Sequence, residues 1–170
     1  DMPFGTYDSP SQALENANKI ITETGAQAVK LEGGTEMAET IRTLVDAKIP
    51  VMAHIGLLPQ SVEKYGGYKV QGTDEESAKQ ILKDAISVQE AGAFSIVIEC
   101  VKREVAEEVS TKTQIPIIGI GASPQCDGQV LVIADMIGTS TGKPPKFVKQ
   151  YANLNDKIKT DYIGDTSPVV

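Results

Sequence analysis

Lys30, Leu31 and Glu32 close an apolar run and are followed by Gly33 and Gly34. In a β-strand residues i and i+2 share a face, so this triplet sets an ammonium and a carboxylate together at the carboxyl end of one strand. The two glycines leave room for a ligand to approach the backbone. A fixed ammonium beside a carboxylate can hold an anionic substrate and can hold or move a proton. In isolation the triplet reads equally as an ion pair at an exposed strand edge, worth little energy. His54, the one histidine of the chain, and Glu99 take the corresponding place on two further apolar runs.

Those runs must be positioned by a regular scaffold. Residues 28–31, 50–55, 94–99, 116–120 and 129–133 are short and nearly continuous in apolar side chains, as strands buried on both faces are. Helical patterns lie between them. Ser9, Pro10 and Gln12 open one as a capping box and Gly25 closes it; Thr73 with Glu76 opens another, stopped by Gly92. The second carries Ala78, Ile81, Leu82, Ala85 and Ile86 at helical spacing. Further helices begin near Thr35 and Lys102. Alternation of this kind predicts a parallel sheet covered by helices.

Composition narrows the function classes. The 170 residues are 41% hydrophobic and 23% charged, and no run approaches the length a membrane helix needs. A cytoplasmic protein with neither a membrane span nor a signal peptide is expected. A net charge of -7 argues against nucleic acid and anionic membrane as partners and for a small ligand. Cys100 and Cys126 have no zinc or disulfide spacing and read as buried or near-site thiols.

The polar strand ends favour a (β/α)8 TIM barrel over a doubly wound sheet. Lys30, Glu32, His54 and Glu99 come from the carboxyl ends of three successive strands, where barrel enzymes keep their catalytic groups. A dinucleotide fingerprint is missing, because Pro124 stands where a third glycine would follow Gly119 and Gly121. Only five βα units are counted, against about 250 residues for a typical barrel. The expectation is therefore one domain over 1–170 that is the C-terminal part of a longer barrel, its N-terminal strands absent from this chain, with 149–170 as a terminal helix and tail.

The stretches DMPF, VKLEGG, PVMAHIGLLPQSV, GGYKVQG, IVIECV, PIIGIGA and DGQVLV, in that order from Asp1 to about Val148, closely resemble the ketopantoate hydroxymethyltransferase family. The resemblance implies a barrel of the phosphoenolpyruvate-mutase type, assembled as a homodecamer. It also implies Mg²⁺-dependent transfer of a one-carbon unit from 5,10-methylenetetrahydrofolate to 3-methyl-2-oxobutanoate. Two alternatives stand beside it: another metal-dependent 2-oxo acid carbon-carbon lyase of the same barrel type, which should carry a reactive loop cysteine not found here, or a non-catalytic fragment.

Enolization of a 2-oxo acid needs a charge sink, and Mg²⁺ takes hard oxygen ligands. Asp1 and Glu32 fit as ligands, Glu32 either directly or through water; the family's further aspartate, paired with a serine, belongs to an earlier strand that this sequence lacks. Asp1, Lys30 and His54 are the expected substrate contacts. Lys30 would counter the substrate carboxylate or the developing oxyanion, with a Schiff base as the competing role. Glu99 is the expected general base, because its carboxylate emerges from apolar surroundings that make it a better proton acceptor. A structural carboxylate on a helix N-terminus or lysine is the plainer reading. His54 alone would read as a hydrogen-bonded core residue; in the motif AHIGL it contacts substrate or orients a carboxylate, and Mg²⁺ disfavours its nitrogen. The stretch 57–72, with Tyr65, Gly66, Gly67, Tyr68 and Lys69, is expected to be either a lid over the folate or an ordinary loop. Asp127-Gly128-Gln129 and Gly119-Ile120-Gly121 would let a pterin ring or the backbone come close.

Overall fold

A computed structural model describes residues 1–65, 67–140 and 142–163 of the chain. Two compact units result, Asp1–Gln129 and Val130–Val170. The first is an α/β unit built on a parallel sheet of β1 (Val29–Glu32), β2 (Val51–Gly56), β3 (Ser95–Glu99), β4 (Ile117–Ile120) and β5 (Gly128–Gln129). The strands lie side by side in the order of the sequence, every neighbour pair parallel. A doubly wound sheet would reverse its order at a switch point; this one runs in a single direction, as the strands of a barrel do.

Helices α1 (Pro10–Thr24), α2 (Ala38–Asp46), α3 (Glu75–Glu90) and α4 (Arg103–Lys112) accompany it. Ser9 caps α1 by accepting the Gln12 N–H, and Gly25 ends it in the left-handed conformation at φ 72°. The capping box is only half formed: the Gln12 side chain accepts from the Asp8 N–H and donates to the Gly5 carbonyl. The start of α3 falls one residue later than the sequence suggested. Asp74, not Thr73, is the N-cap, and it forms a reciprocal box with Ser77. A carboxylate is the better acceptor at a helix N-terminus.

The two faces of the sheet differ sharply. Val29, Leu31, Val51, Ala53, Ile55, Ile96, Ile98 and Ile117 join Ala13, Ala17, Ile41, Leu44, Ala85, Val88, Ala106 and Val109 of the helices in one buried core. Burying each branched side chain contributes roughly 1.5–3 kcal/mol. The alternate positions, Lys30, Glu32, Met52, His54, Ser95, Val97 and Glu99, fall on the opposite face, as the register Lys30↔Met52, Glu32↔His54, His54↔Val97 and Gly56↔Glu99 requires.

The fifth apolar run departs from expectation. A strand was expected over 129–133, but β5 covers Gly128–Gln129 and pairs with β4 through two residues. Val130, Val132 and Ile133 are exposed, so the burial that holds a strand in a sheet is missing beyond Gln129. Ile133 instead opens the short helix α5 (Ile133–Met136). In the second unit α6 (Leu154–Ile158) follows, capped by Asn153, and continues as a π-helical turn over Lys159–Ile163. Residues 164–170 of the expected tail lie outside the described residues.

Candidate functional site

The site begins with β1. Its alternation sends Leu31 into the helix-side core and places Lys30 and Glu32 on the other face. Gly33, at φ 130°, then turns the chain where a Cβ would strike the Met37 side chain, and its N–H donates to the His54 carbonyl at 3.0 Å. The Asp84 carboxylate of α3 fixes the following turn by accepting from the Thr35 N–H and hydroxyl at 2.9 and 2.8 Å. The end of β1 is thereby tied to both its neighbours.

From there a line of contacts crosses three strands. The Lys30 ammonium pairs with the Asp1 carboxylate. Its Nζ also lies 3.2 Å from His54 Nδ1 on β2. On the other side of the imidazole, His54 Nε2 lies 3.3 Å from Glu99 Oε2 on β3. The imidazole is buried, and among the described residues Nε2 has no hydrogen-bond partner, the Glu99 oxygen at 3.3 Å being its nearest acidic neighbour. Asp1 is the solvent-facing end of the line, with its side chain 57% exposed, whereas that of Glu99 is 13% exposed.

Glu32 holds a second branch. Its carboxylate accepts the Gln60 N–H at 3.1 Å on Oε2 and 3.4 Å on Oε1. Gln60 in turn accepts from the Tyr7 hydroxyl at 2.9 Å and donates to the Met2 carbonyl at 3.1 Å. The backbone of Met2 donates to the Lys30 carbonyl at 2.8 Å, so the segment bearing Asp1 is anchored beside β1. A cavity of about 370 Å³ opens next to Glu32, lined in part by Phe4, Tyr7, Glu36, Thr40 and Leu58.

Burial sets the electrostatics. It pushes the Glu32 carboxyl above the usual carboxylate range, against the opposing pull of His54, the Gln60 N–H and Lys30. Burial also draws Lys30 below the ordinary lysine value, while Glu32 and Glu99 push it back. The Tyr7 phenol is raised, again chiefly by burial. These opposed shifts belong to ionisable groups brought together where water is scarce, a frequent property of functional sites.

The structure thus brings Asp1, Lys30, His54 and Glu99 into one contact line and places Glu32 on the same face, in register with His54. Among the described residues, no group of three or more His, Cys, Asp or Glu is arranged to hold a metal ion by itself. The 57–72 stretch is partly helical: a 3-10 turn covers Pro59–Tyr65 and delivers Gln60 to Glu32. Its far end is pinned by Gln71, which bonds the backbone of Cys100 and Lys102. Gly66, one of the expected hinge glycines, lies outside the described residues.

The DGQ stretch does other work. Asp127 Oδ2 accepts the Ile117 N–H at 2.8 Å, at the amino end of β4 and away from the charged strand ends. A Cβ on Gly128 would meet Ile118 Cδ1 at 2.8 Å, and one on Gly119 would meet Cys126 Sγ at 3.0 Å. Close approach within the protein, the plainer of the two expectations for these stretches, accounts for Gly119 and Gly128, and Asp127 ties down the start of β4. Gln60 and Tyr7 escaped the sequence reading. The one signal for Gln60 was a lone amide directly after the apolar Leu57-Leu58-Pro59.

Comparison with known proteins supplies what geometry does not. The family profile of ketopantoate hydroxymethyltransferase matches residues 1–163. A 3-methyl-2-oxobutanoate hydroxymethyltransferase of Bordetella petrii is 56% identical over 159 residues, 93% of this chain and 58% of that protein. One from Ruegeria sp. is 59% identical over 169 residues, 97% of this chain and 60% of its own length. The chain therefore spans about three fifths of these relatives. Among solved structures, a dihydrodipicolinate synthase overlaps 69% of this chain and 42% of its own at a TM-score of 0.47 and 16% identity.

Proposed function

The chain belongs to the ketopantoate hydroxymethyltransferase family, and from that premise we propose that it carries the base, the cation and part of the metal site of a 3-methyl-2-oxobutanoate hydroxymethyltransferase. The reaction removes a proton from C3 of 3-methyl-2-oxobutanoate. It then adds a hydroxymethyl group from 5,10-methylenetetrahydrofolate, giving 2-dehydropantoate for pantothenate and coenzyme A synthesis. One observation carries the reading: the contact line from Asp1 through Lys30 and His54 to Glu99, on the sheet face opposite the helix-side core.

Glu99 takes the C3 proton. The Gly56↔Glu99 register sets the base against a glycine, where a Cβ would strike the Glu99 carbonyl oxygen at 2.5 Å and Val101 Cγ2 at 2.6 Å, so close packing of the two backbones holds the base in place. Lys30 holds the substrate carboxylate or the growing negative charge on the keto oxygen, in a setting where a fixed cation is worth far more than in water. Asp1 and Glu32 are the carboxylates that would hold Mg²⁺. Two carboxylates suit this ion, which keeps waters and takes its remaining ligands from substrate oxygens. When bound, Mg²⁺ would supply the positive charge that stabilises the enolate oxygen.

The single winding of the sheet supports an arc of a (β/α)8 barrel of the phosphoenolpyruvate-mutase type, completed by strands that the longer relatives have room for. A homodecamer in the cytoplasm is the assembly proposed; no helix among the described residues is long and apolar enough to cross a membrane. The deciding experiment is deuterium exchange at C3 of 3-methyl-2-oxobutanoate, with and without Mg²⁺ and with and without the folate. Exchange that needs the metal and not the folate is expected. Bound substrate whose C3 proton never exchanges would defeat the reading.

A further inference from the structure

His54 sits between a cation and a carboxylate, and its two nitrogens cannot play the same part. An ammonium carries three donors and no acceptor. Lys30, ion-paired with Asp1 and 3.2 Å from His54 Nδ1, therefore faces a nitrogen that must offer a lone pair. The ring proton is left to Nε2. That nitrogen is buried, in a residue only 4% exposed, and it has no hydrogen-bond partner among the described residues. Glu99 Oε2 is 3.3 Å away without forming a hydrogen bond. Buried donors are as a rule paired, so a buried nitrogen whose near carboxylate makes no hydrogen bond to it is a sign of a group held in readiness for a ligand.

We propose that Lys30 locks His54 in its neutral Nε2–H tautomer, and that this N–H is the hydrogen-bond donor to an oxygen of the bound 2-oxo acid or of the one-carbon unit joined to it, beside the carbon that Glu99 deprotonates. The tautomer half stands on the contacts alone; the donor half rests on the functional reading given above. The geometry is economical. Any oxygen two bonds from C3 lies within reach of both a base at Glu99 and a donor a further 3.3 Å away. If that oxygen is the keto oxygen of the acid, it gains charge when Glu99 takes the C3 proton: the C–H pair becomes the C2=C3 bond and the C=O π pair goes to the oxygen. If it belongs to the one-carbon unit, water first releases that unit from the folate as formaldehyde and tetrahydrofolate; the enolate pair then forms the C–C bond, the formaldehyde C=O π pair goes to its oxygen, and that oxygen takes up a proton. A donor already in place stabilises the negative charge as it appears. The proton stays on Nε2 throughout, so the imidazole is a polarising group and Glu99 remains the base.

The fit explains why an ammonium is useful at Nδ1. A backbone carbonyl there would hold the opposite tautomer and aim a lone pair at the oxygen, whereas a carboxylate would favour the imidazolium. Only a donor at Nδ1 yields a neutral ring with its N–H toward Glu99. Nothing in the sequence shows this, because the spacing from Lys30 to His54 is set by the register Glu32↔His54 and not by any local motif.

Nitrogen-15 NMR of the intact protein labelled in histidine tests both halves, with the His54→Gln variant subtracted to assign the signals. The free protein should show an unprotonated Nδ1 and a protonated Nε2, and Lys30→Met should abolish that preference. A protonated Nδ1, alone or in an imidazolium at neutral pH, would overturn the tautomer. With Mg²⁺ and 3-methyl-2-oxobutanoate added, and binding established by calorimetry, the Nε2 signal should shift as its hydrogen bond forms with the acid, or shift only when the folate is also present if the oxygen belongs to the one-carbon unit. An Nε2 signal indifferent to both would overturn the donor. His54→Phe should lower kcat by about 10²–10³-fold with KM little changed, and His54→Gln, which keeps an N–H near the same place, should recover most of it. Equal loss in both variants would also overturn the donor. If wild type fails to exchange C3 at all, the functional reading falls, while the tautomer is still decided by the spectrum of the free protein.

Discussion

The two faces of one sheet obey different rules. Toward the helices stand Leu31, Val51, Ala53, Ile55, Ile96 and Ile98, fully buried or nearly so and free of polar atoms in their side chains. One residue along each strand, facing the other way, stand Lys30, Glu32, His54 and Glu99. They are buried or half-buried yet charged or polar, and one nitrogen among them makes no hydrogen bond to any described residue. The first face is what dispersion and the hydrophobic effect would choose. The second is what they would reject, so the stability it sacrifices points to work done on a ligand.

This contrast breaks most visibly at Glu99. Glu99→Gln removes the proton acceptor while preserving shape, so C3 exchange should fall by about 10²–10⁴-fold with little change in substrate affinity. Its thermal midpoint should be unchanged or higher, since a buried charge is lost. Unchanged exchange in this variant would remove Glu99 from its role. On the opposite face Leu31→Ala should do the reverse. A fully buried leucine truncated in a packed core costs about 2–5 kcal/mol in denaturant unfolding, and activity per folded molecule should change far less than in Glu99→Gln.

Gly56 joins the two faces and sharpens the comparison. Its φ of 89° and the 2.5 Å from a built Cβ to the Glu99 carbonyl oxygen mean that alanine would strain the backbone and push on β3 where the base sits. Gly56→Ala should cost about 1–3 kcal/mol in stability and also slow C3 exchange. A variant that loses only stability would show the base to be insulated from its own strand.

The helix-side face was the more legible of the two. Strands β1 to β4 announce themselves as apolar runs, and Ser9, Gly25 and Gly92 mark helix ends because single-residue chemistry decides them. The convergence of Lys30, His54 and Glu99 follows from strand ends in sequential order, which the barrel reading of the alternating pattern implies. What stayed hidden depends on contacts between residues far apart in the chain. Gln60 reaches Glu32 across 28 positions and Tyr7 reaches Gln60 across 53. The role of Asp127 is hidden for a related reason: an aspartate-glycine pair suits a ligand turn or close backbone packing equally, and only the partner strand shows that it ties down Ile117. The run beyond Gln129 failed because apolar composition does not guarantee burial; Val130 and Val132 are about half exposed.

The smallest effect concerns Glu32 and the sign of a pH slope. Burial raises its folded-state pKa above that of the unfolded chain, so between those two values the native protein binds more protons than the unfolded one. Stability must then fall as pH rises through that window and stay lower above it. Lys30 acts in the opposite sense at the alkaline end: its lowered folded pKa leaves the unfolded chain holding more protons, and stability should climb as pH rises from the folded value toward the ordinary lysine one. Glu32→Gln should therefore raise the neutral-pH melting temperature, measured without divalent cations, and flatten the slope just above the usual carboxylate range. The glutamine carbonyl can still accept the Gln60 N–H, so the variant removes charge without removing that bond. Added Mg²⁺ should then reverse the ranking, stabilising the wild type more than the variant, because the ion binds only where the carboxylate is kept. A variant less stable than wild type at neutral pH without metal would show that Glu32 belongs to the stabilising side of the sheet after all.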